Sequence, residues 1–168
     1  MKKIGLFCGT STHKTAAVAK KIQMAFGEEA VEIISIEEAW QKEFESYNFL
    51  IAGVATWFDG ELPTYWDEII PKLLTLNLKD KKVAIFGLGD QVKYPDNFVD
   101  GIGLLAEAFI STGATIVGLT SMEGFEFNKS KALIGSHFAG LPLDIENQRE
   151  KTDQRIKDWV EGLKKEFK

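Results

Sequence analysis

The stretch GTSTHKT, residues 9–15, places four hydroxyl side chains and one lysine between an apolar segment and an amphipathic one. At the start of a helix the first four amides have no partner within the helix, and the helix dipole adds partial positive charge. Hydroxyls and amides gathered there make a natural anion site. The stretch therefore predicts a turn that holds an anion, although a helix N-cap alone would also use these residue types.

Two nucleotide-binding motifs that use such a turn do not fit these residues. A triphosphate-binding P-loop needs glycine directly before the lysine and another six residues before it, where this chain has His13 and Cys8. The dinucleotide fingerprint needs three spaced glycines, and the turn contains only Gly9. Neither motif accounts for the turn.

Two further segments carry aromatic side chains where such side chains would not normally be left exposed. TWFDGEL, residues 56–62, contains Trp57 and Phe58, and GLGDQVKYPDNF, residues 87–98, contains Tyr94. Trp57 or Tyr94 alone could simply pack beneath its own loop. Together, two aromatic rings from separate loops could sandwich a flat ring whose phosphate lies in the hydroxyl-rich turn. The combination predicts a phosphorylated aromatic cofactor.

Strands and helices are predicted on either side of these loops, because apolar runs alternate along the chain with segments of helical spacing. Continuous apolar runs predict five buried strands, at residues 4–8, 31–36, 49–55, 83–88 and 114–119. Segments with helical spacing lie between them, and one more closes the chain around Ile156, Trp159 and Leu163. This alternation predicts an α/β fold with a doubly wound, five-stranded parallel sheet and helices on both faces.

Ligands of such sheets bind outside the carboxyl ends of the strands, which singles out the loops at residues 9–15, 56–62 and 89–98. Residues 120–143 break the alternation, because they are polar and too long for an ordinary connection. We expect an insertion with a small structure of its own, associated with the fifth strand.

Composition limits the classes of function. The 168 residues are 45% hydrophobic and 27% charged, which suits one globular domain over residues 1–168. A net charge of -5 argues against nucleic acid and anionic membranes as partners, and no segment is long and apolar enough for a membrane span. Cys8 is the one cysteine, and His13 and His137 are far apart, so we expect neither a disulfide nor a metal site. Nothing near the start reads as a signal peptide, and a cytoplasmic setting is expected.

Taken together, these motifs resemble the long-chain flavodoxins over essentially the whole chain. The phosphate turn of that family, T-x-T-G-x-T, is matched by residues 10–15, with His13 where the family usually has glycine. TWFDGE and GDQVKYPDNF match its flavin loops. SKAL, GLPLD and DQRIKDW resemble its insertion and final helix, and Asp144 and Glu146 fall near the path of its ribityl chain.

The resemblance implies a flavodoxin-like strand order, 2-1-3-4-5, and FMN as the cofactor. The phosphate would lie among the hydroxyl-rich residues, and Trp57 and Tyr94 would cover opposite faces of the isoalloxazine. Backbone groups of 58–60, 88–90 and 97–99 would meet the polar edge of the ring. The implied binding residues are Thr10, Ser11, Thr12, His13, Lys14, Thr15, Thr56, Trp57, Phe58, Asp59, Gly60, Leu88, Gly89, Asp90, Tyr94, Asn97, Phe98 and Val99.

The implied function is that of a monomeric, low-potential single-electron carrier, not an enzyme, working mainly between the semiquinone and hydroquinone forms of FMN. Its partners would be redox proteins such as a ferredoxin-NADP reductase and low-potential oxidoreductases. Carboxylates around the site would steer the carrier onto basic partners. The acidic residues expected to do so are Glu61, Asp67, Asp96 and Asp100.

Three alternatives use parts of the same pattern. CGTSTHKT is close to the Cys-x5-Arg turn of low-molecular-weight phosphatases, with Cys8 as nucleophile, but Lys14 lacks the bidentate fork of arginine. An FMN-dependent NAD(P)H quinone reductase needs one ring face open to nicotinamide, whereas Trp57 and Tyr94 would cover both. A response-regulator receiver needs an acidic pair after the first strand, where residues 7–9 read FCG.

Overall fold

A parallel sheet with strand order β2-β1-β3-β4-β5 forms the centre of the protein, as the computed structural model describes it for residues 3–9, 13–57 and 59–168. This order and the parallel pairing confirm the predicted fold class. The strands are β1 Ile4–Cys8, β2 Val31–Ser35, β3 Phe49–Ala55, β4 Lys82–Leu88 and β5 Thr115–Val117.

Helices cover both faces of the sheet because successive strand residues point to opposite sides. The helices are α1 His13–Phe26, α2 Gln41–Glu45, α3 Thr64–Leu73, α4 Asp100–Ser111, α5 Ile145–Gln148 and α6 Thr152–Glu166, with a 3-10 turn at Arg149–Lys151. One core contains Leu6, Ile51 and Phe86 with buried side chains of α1 and α6. The other contains Phe7, Leu50 and Ile85 with buried side chains of α2, α3 and α4. None of the helices within the described ranges is both long enough and apolar enough to cross a bilayer.

The register of the sheet places the carboxyl ends of β1, β3 and β4 next to each other at one end of the sheet. Cys8 at the end of β1 lies opposite Gly53, and Ala55 at the end of β3 lies opposite Leu88 at the end of β4. The three loops singled out from the sequence therefore leave the sheet side by side.

The fifth strand is interrupted by the inserted segment. β5 pairs with the first half of β4, and a second short strand, β9 Leu141–Leu143, pairs in parallel with its second half. Between them, β6 Thr120–Ser121, β7 Leu133–Ile134 and β8 His137–Phe138 form an antiparallel sheet of order β6-β8-β7. An insertion with its own small structure is thus confirmed. Its expected end at residue 143 was wrong, because residues 141–143 are all buried and form a strand of the main sheet.

Candidate functional site

The start of α1 carries the described part of the predicted anion turn. Thr10, Ser11 and Thr12 lie outside the described residues. His13 and Lys14 are exposed, whereas Thr15 is fully buried. Among the described residues, the Oγ1 atom of Thr15 has no hydrogen-bond partner, and the first turn of α1 contains no acidic side chain. A buried hydroxyl without an acceptor is costly, so this position is suited to an anion that accepts a hydrogen bond from it.

Lys14 forms an ion pair with Glu146 of α5, and both side chains are about half exposed. Lys14, which was predicted to bind phosphate, therefore also connects α1 to α5. Because the pair is solvated on both sides, we expect its net contribution to stability to be small. Glu146 partly neutralises the positive charge of Lys14. His13 is the other exposed basic side chain that the structure describes at this turn.

The loop after β3 is closed by a short bridge between Trp57 and Glu61. Each amide donates to the carbonyl of the other residue, at 2.8 and 2.7 Å. Gly60 has a φ of +94°, and a Cβ at this position would lie 2.6 Å from Oδ2 of Asp100. Glycine is required there for both reasons. Phe58 lies outside the described residues, and Asp59 is exposed at the tip.

The ring of Trp57 is half-buried and meets the ring of Tyr65 edge to face, with centroids 6.1 Å apart and an interplanar angle of 86°. Tyr65 also fills the space beside Gly9, because a Cβ on Gly9 would lie 2.4 Å from its ring. Tyr65 thus packs between the anion turn and the Trp57 loop, and it fixes their spacing.

Thr56, Leu88 and Gly89 hold the loops to each other. The hydroxyl of Thr56 accepts from the amide of Gly101 at 2.9 Å, and its own amide donates to the carbonyl of Leu88 at 3.3 Å. The amide of Gly89 donates to the carbonyl of Leu143 at 3.0 Å. These groups make bonds within the protein, so they shape the site through the backbone.

Asp90 organises the loop after β4. Its carbonyl accepts from the amide of Tyr94 at 2.9 Å, and Oδ1 accepts from Val92 N, Lys93 N and Asn147 Nδ2 at 3.1, 2.8 and 2.7 Å. Burial acts to raise the pKa of Asp90, but the hydrogen bonds from Lys93, Asn147 and Val92 hold it below its ordinary value. The turn presents the ring of Tyr94, which is 37% exposed.

Asn97 joins the two aromatic loops, because its Nδ2 donates to the carbonyl of Asp59 at 3.0 Å. The side chain of Phe98 is fully buried against Phe125, Phe127 and Phe138 of the insertion. The main-chain amide of Phe98 donates to the carbonyl of Lys129 at 3.2 Å. Phe98 therefore supports the loop from behind, and its side chain does not point to the open edge of the site.

Val99 is the one non-glycine residue with positive φ in the described ranges, at φ 47° and ψ 34°. A β-branched side chain is rarely found in this left-handed region, and such strain persists only where surrounding structure imposes it. It occurs at the first position before α4, next to the predicted flavin loop.

Asp100 was expected among the exposed steering carboxylates, and that expectation was wrong. Its side chain is 1% exposed, and Oδ1 accepts from the amide of Lys131 at 2.8 Å. Its other oxygen, Oδ2, accepts from Asn97 Nδ2 at 3.4 Å, so donors to both oxygens, together with the positive end of the α4 dipole, compensate for the burial of this carboxylate. Glu61, Asp67 and Asp96 are exposed, as expected.

Asp144, Gln91 and Asn147 form a further cluster at this edge that was not among the predicted binding residues. Asp144 is fully buried, caps α5 through Asn147 N at 3.0 Å, and accepts from Gln91 N and Nε2 at 3.1 and 2.7 Å. The sequence held two signals for Asp144, because the resemblance placed it near the ribityl path and because aspartate is a favoured N-cap residue at a helix start.

Cys8 does not have the properties of a nucleophile. It is fully buried, and burial, with a smaller effect from the charge of Glu37, raises the pKa of its thiol to about 11. Thiolate nucleophiles require the opposite shift. The phosphatase alternative is therefore not supported at its central residue.

Comparison with known proteins gives a consistent relationship. The sequence profile of the family described as flavodoxin matches residues 6–159. The chain is 46% identical to a flavodoxin of Synechococcus elongatus over 168 residues, covering 99% of each chain. It is 45% identical to a flavodoxin of a Nostoc strain over 166 residues, covering 99% of this chain and 98% of that protein. The crystal structure of Fusobacterium nucleatum flavodoxin bound to flavin mononucleotide is 32% identical, covers both chains completely and superimposes with a TM-score of 0.94.

Proposed function

The chain belongs to the flavodoxin family, and on that basis we propose that it binds one FMN and carries single electrons between larger redox proteins. FMN, when bound, supplies the redox chemistry, and the protein sets its potential through stacking, hydrogen bonds and nearby charge. We propose further that residues 1–168 act as a single, monomeric domain in the cytoplasm.

The observation that carries this proposal is the unpartnered hydroxyl of Thr15, buried in the first turn of α1. This turn follows β1, and the register of the sheet puts the end of β1 at the same end of the sheet as the strands that lead into the loops of Trp57 and Tyr94. A phosphate oxygen at this position would accept a hydrogen bond from the hydroxyl of Thr15 and lie at the positive end of the α1 dipole. The residues present therefore fit the phosphate end of FMN. The proposed phosphate contacts are Thr10, Ser11, Thr12, His13, Lys14 and Thr15.

The ring end of the proposed site is formed by the two aromatic loops. Trp57 and Tyr94 are proposed to cover the two faces of the isoalloxazine, and the Asp59–Asn97 bond keeps their loops together. The amides of Gly89 and Phe98 already donate within the protein, and the carbonyls of Asp90 and Val99 already accept within it. We therefore assign the edge contacts of these segments to the amides of Asp90 and Val99. Thr56, Phe58, Asp59, Gly60 and Leu88 would complete the edge.

The negative groups of the site define its electrostatics. Asp90 lies on the Tyr94 turn with a pKa held below the ordinary value, and Asp144 is buried behind it. Fixed carboxylates disfavour added negative charge on a neighbouring ring. We expect the protein to lower the potential of its cofactor, as a low-potential donor requires.

The test is a direct one. Purified protein should be yellow and should release FMN on acid treatment, in a one-to-one ratio by absorbance. Incubation with NADPH should leave the flavin oxidised until a ferredoxin-NADP reductase is added. Direct oxidation of NADPH at a comparable rate without reductase would replace the carrier by the quinone-reductase alternative, and a colourless protein that fails to take up added FMN would overturn the proposal.

A further inference from the structure

The Tyr94 turn, residues 90–94, contacts one fully buried carboxylate, that of Asp144. Its side chain is completely shielded from solvent, yet each oxygen has a separate task. Oδ1 accepts from Asn147 N and caps α5, whereas Oδ2 accepts from both the main-chain and side-chain nitrogens of Gln91. A carboxylate this deeply buried is stable only when its lone pairs are used in this way.

Gln91 extends this contact to the insertion. Its Nε2 donates to Asp144 at 2.7 Å, and its Oε1 accepts from the amide of Glu126 at 2.7 Å. The side chain of Gln91 is itself buried. The amide group of Gln91 therefore connects three segments, namely the loop after β4, the inserted segment and the start of α5.

Asn147 makes the second connection. Its Nδ2 contacts both oxygens of Asp144, at 3.1 and 3.0 Å, and donates to Oδ1 of Asp90 at 2.7 Å. The same Asp90 oxygen accepts from the amides of Val92 and Lys93, within the turn that ends at Tyr94. Asp144 thus reaches the turn by two routes, directly through Gln91 and indirectly through Asn147 and Asp90.

We propose that Asp144 is a positioning residue for the proposed flavin site, which holds the Tyr94 turn in its binding conformation by accepting both nitrogens of Gln91. This inference rests on the proposed function for the identity of the ligand. It assigns to the inserted segment the task of bracing the Tyr94 turn, because residue 126 completes the hydrogen bonding of Gln91. If the turn is not held, it must become ordered when the cofactor binds. The apparent dissociation constant then rises in inverse proportion to the fraction of apoprotein molecules that are in the binding conformation.

The test exchanges the donor and the acceptor. Asp144→Asn keeps an oxygen for the α5 cap but sets its amide against the nitrogens of Gln91. Gln91→Glu sets a second carboxylate against Asp144. The double variant Asp144→Asn/Gln91→Glu has the net charge of the wild type and restores a donor–acceptor pair, with the new glutamate still able to accept from Glu126 N.

We expect each single variant to raise the FMN dissociation constant by roughly tenfold or more, measured by flavin fluorescence quenching on titration into apoprotein. The double variant should recover at least half of that loss on a logarithmic scale, and its bound flavin should regain the wild-type visible spectrum. Recovery is expected to be partial, because the main-chain nitrogen of residue 91 still faces an amide.

Lys81→Met is the matched control. Lys81 lies directly before β4, at the amino ends of the strands and so at the opposite end of the sheet from the site. Its Nζ donates to the carbonyls of Glu45 and Tyr47. The variant should lower the thermal midpoint of the apoprotein and leave the FMN dissociation constant unchanged. The proposal is overturned if Asp144→Asn raises the FMN dissociation constant no more than this control does. It is also overturned if the double variant binds FMN no more tightly than the weaker-binding single variant.

Amide hydrogen exchange of the apoprotein separates this inference from the proposed function. In Asp144→Asn the amides of residues 91–94 and of Glu126 should exchange at least tenfold faster than in the wild type, with the α1 amides unchanged. That result supports the bracing role even if the wild-type protein binds no FMN. Unchanged exchange at these amides refutes it even if the wild type binds FMN tightly.

Discussion

Thr15 carries a hydroxyl that destabilises the protein where it lies. It is fully buried in α1 with no partner for Oγ1 among the described residues, and a buried polar group without a hydrogen bond costs about 1–3 kcal/mol. Thr152, the first residue of α6, is also buried and has an unpartnered hydroxyl in the described part of the chain. The two threonines differ in location, because only Thr15 lies in the anion turn.

Replacing Thr15 by valine keeps the shape of the side chain and removes the hydroxyl. We expect Thr15→Val to raise the free energy of unfolding of the apoprotein by about 1 kcal/mol, measured by urea unfolding. We expect it also to raise the FMN dissociation constant about tenfold, measured by fluorescence titration. Thr152→Val should give a similar gain in stability with unchanged FMN affinity. Equal FMN affinities for Thr15→Val and the wild type would remove Thr15 from the site.

Cys8 gives a prediction that depends on pH. Below pH 9 the thiol is protonated in both the native and the unfolded protein, because burial raises its pKa from 9.0 to about 11 in the native state. Between pH 9 and 11 only the unfolded protein loses this proton, so native stability falls as pH rises. Cys8→Ala should lack this part of the slope in denaturant titrations at pH 8, 9, 10 and 11. Parallel profiles for the two proteins would contradict the raised pKa.

The strands and long helices were predictable from the sequence, whereas the contacts that connect them were not. Continuous apolar runs identified all five strands of the parallel sheet, since residues buried on both faces leave little ambiguity. The left-handed Val99 could not be predicted, because nothing in its residue type favours positive φ and only the surrounding loops impose it. Likewise the Lys14–Glu146 pair joins positions 132 residues apart, and local pattern contains no such information.

Position 99 should reverse the ordinary ranking of alanine and glycine. Both Val99→Ala and Val99→Gly remove a buried side chain, but only glycine also relieves the strain of positive φ, about 1–2 kcal/mol for a residue with a Cβ. We therefore expect the glycine variant to be at least as stable as the alanine variant in chemical denaturation. Ala17→Gly on the exposed face of α1 is the control, and it should cost about 1 kcal/mol. An alanine variant clearly more stable than the glycine variant would show that Val99 is unstrained.

The charge of the protein as a whole acts on an approaching partner before any direct contact forms. The chain has a net charge of -5, and Glu61, Asp67 and Asp96 are exposed on or near the loops of the site. Interactions between exposed charges fade beyond about 8–10 Å at physiological salt, so only carboxylates near the contact edge can steer a basic partner strongly.

Neutralising those three carboxylates should slow the encounter and weaken its dependence on salt. We expect Glu61→Gln/Asp67→Asn/Asp96→Asn to lower the second-order rate constant with a ferredoxin-NADP reductase about tenfold at low ionic strength, measured by stopped flow. The control, Glu28→Gln/Glu29→Gln/Asp80→Asn, removes the same charge from exposed positions near the amino ends of the strands. Equal effects of the two triple variants would mean that net charge alone matters.

The division of the fifth strand into β5 and β9 also bears on how the protein avoids association with itself. A long edge strand offers a row of free backbone groups to which another chain can add, and short or interrupted edges prevent this. Here the edge beside β4 is formed by two pieces of three residues each, separated by the inserted segment. The opposite edge, β2, carries the exposed Glu32. Joining β5 directly to β9 would create a continuous edge strand beside β4, so we expect a variant without the insertion to associate edge to edge in concentrated solution.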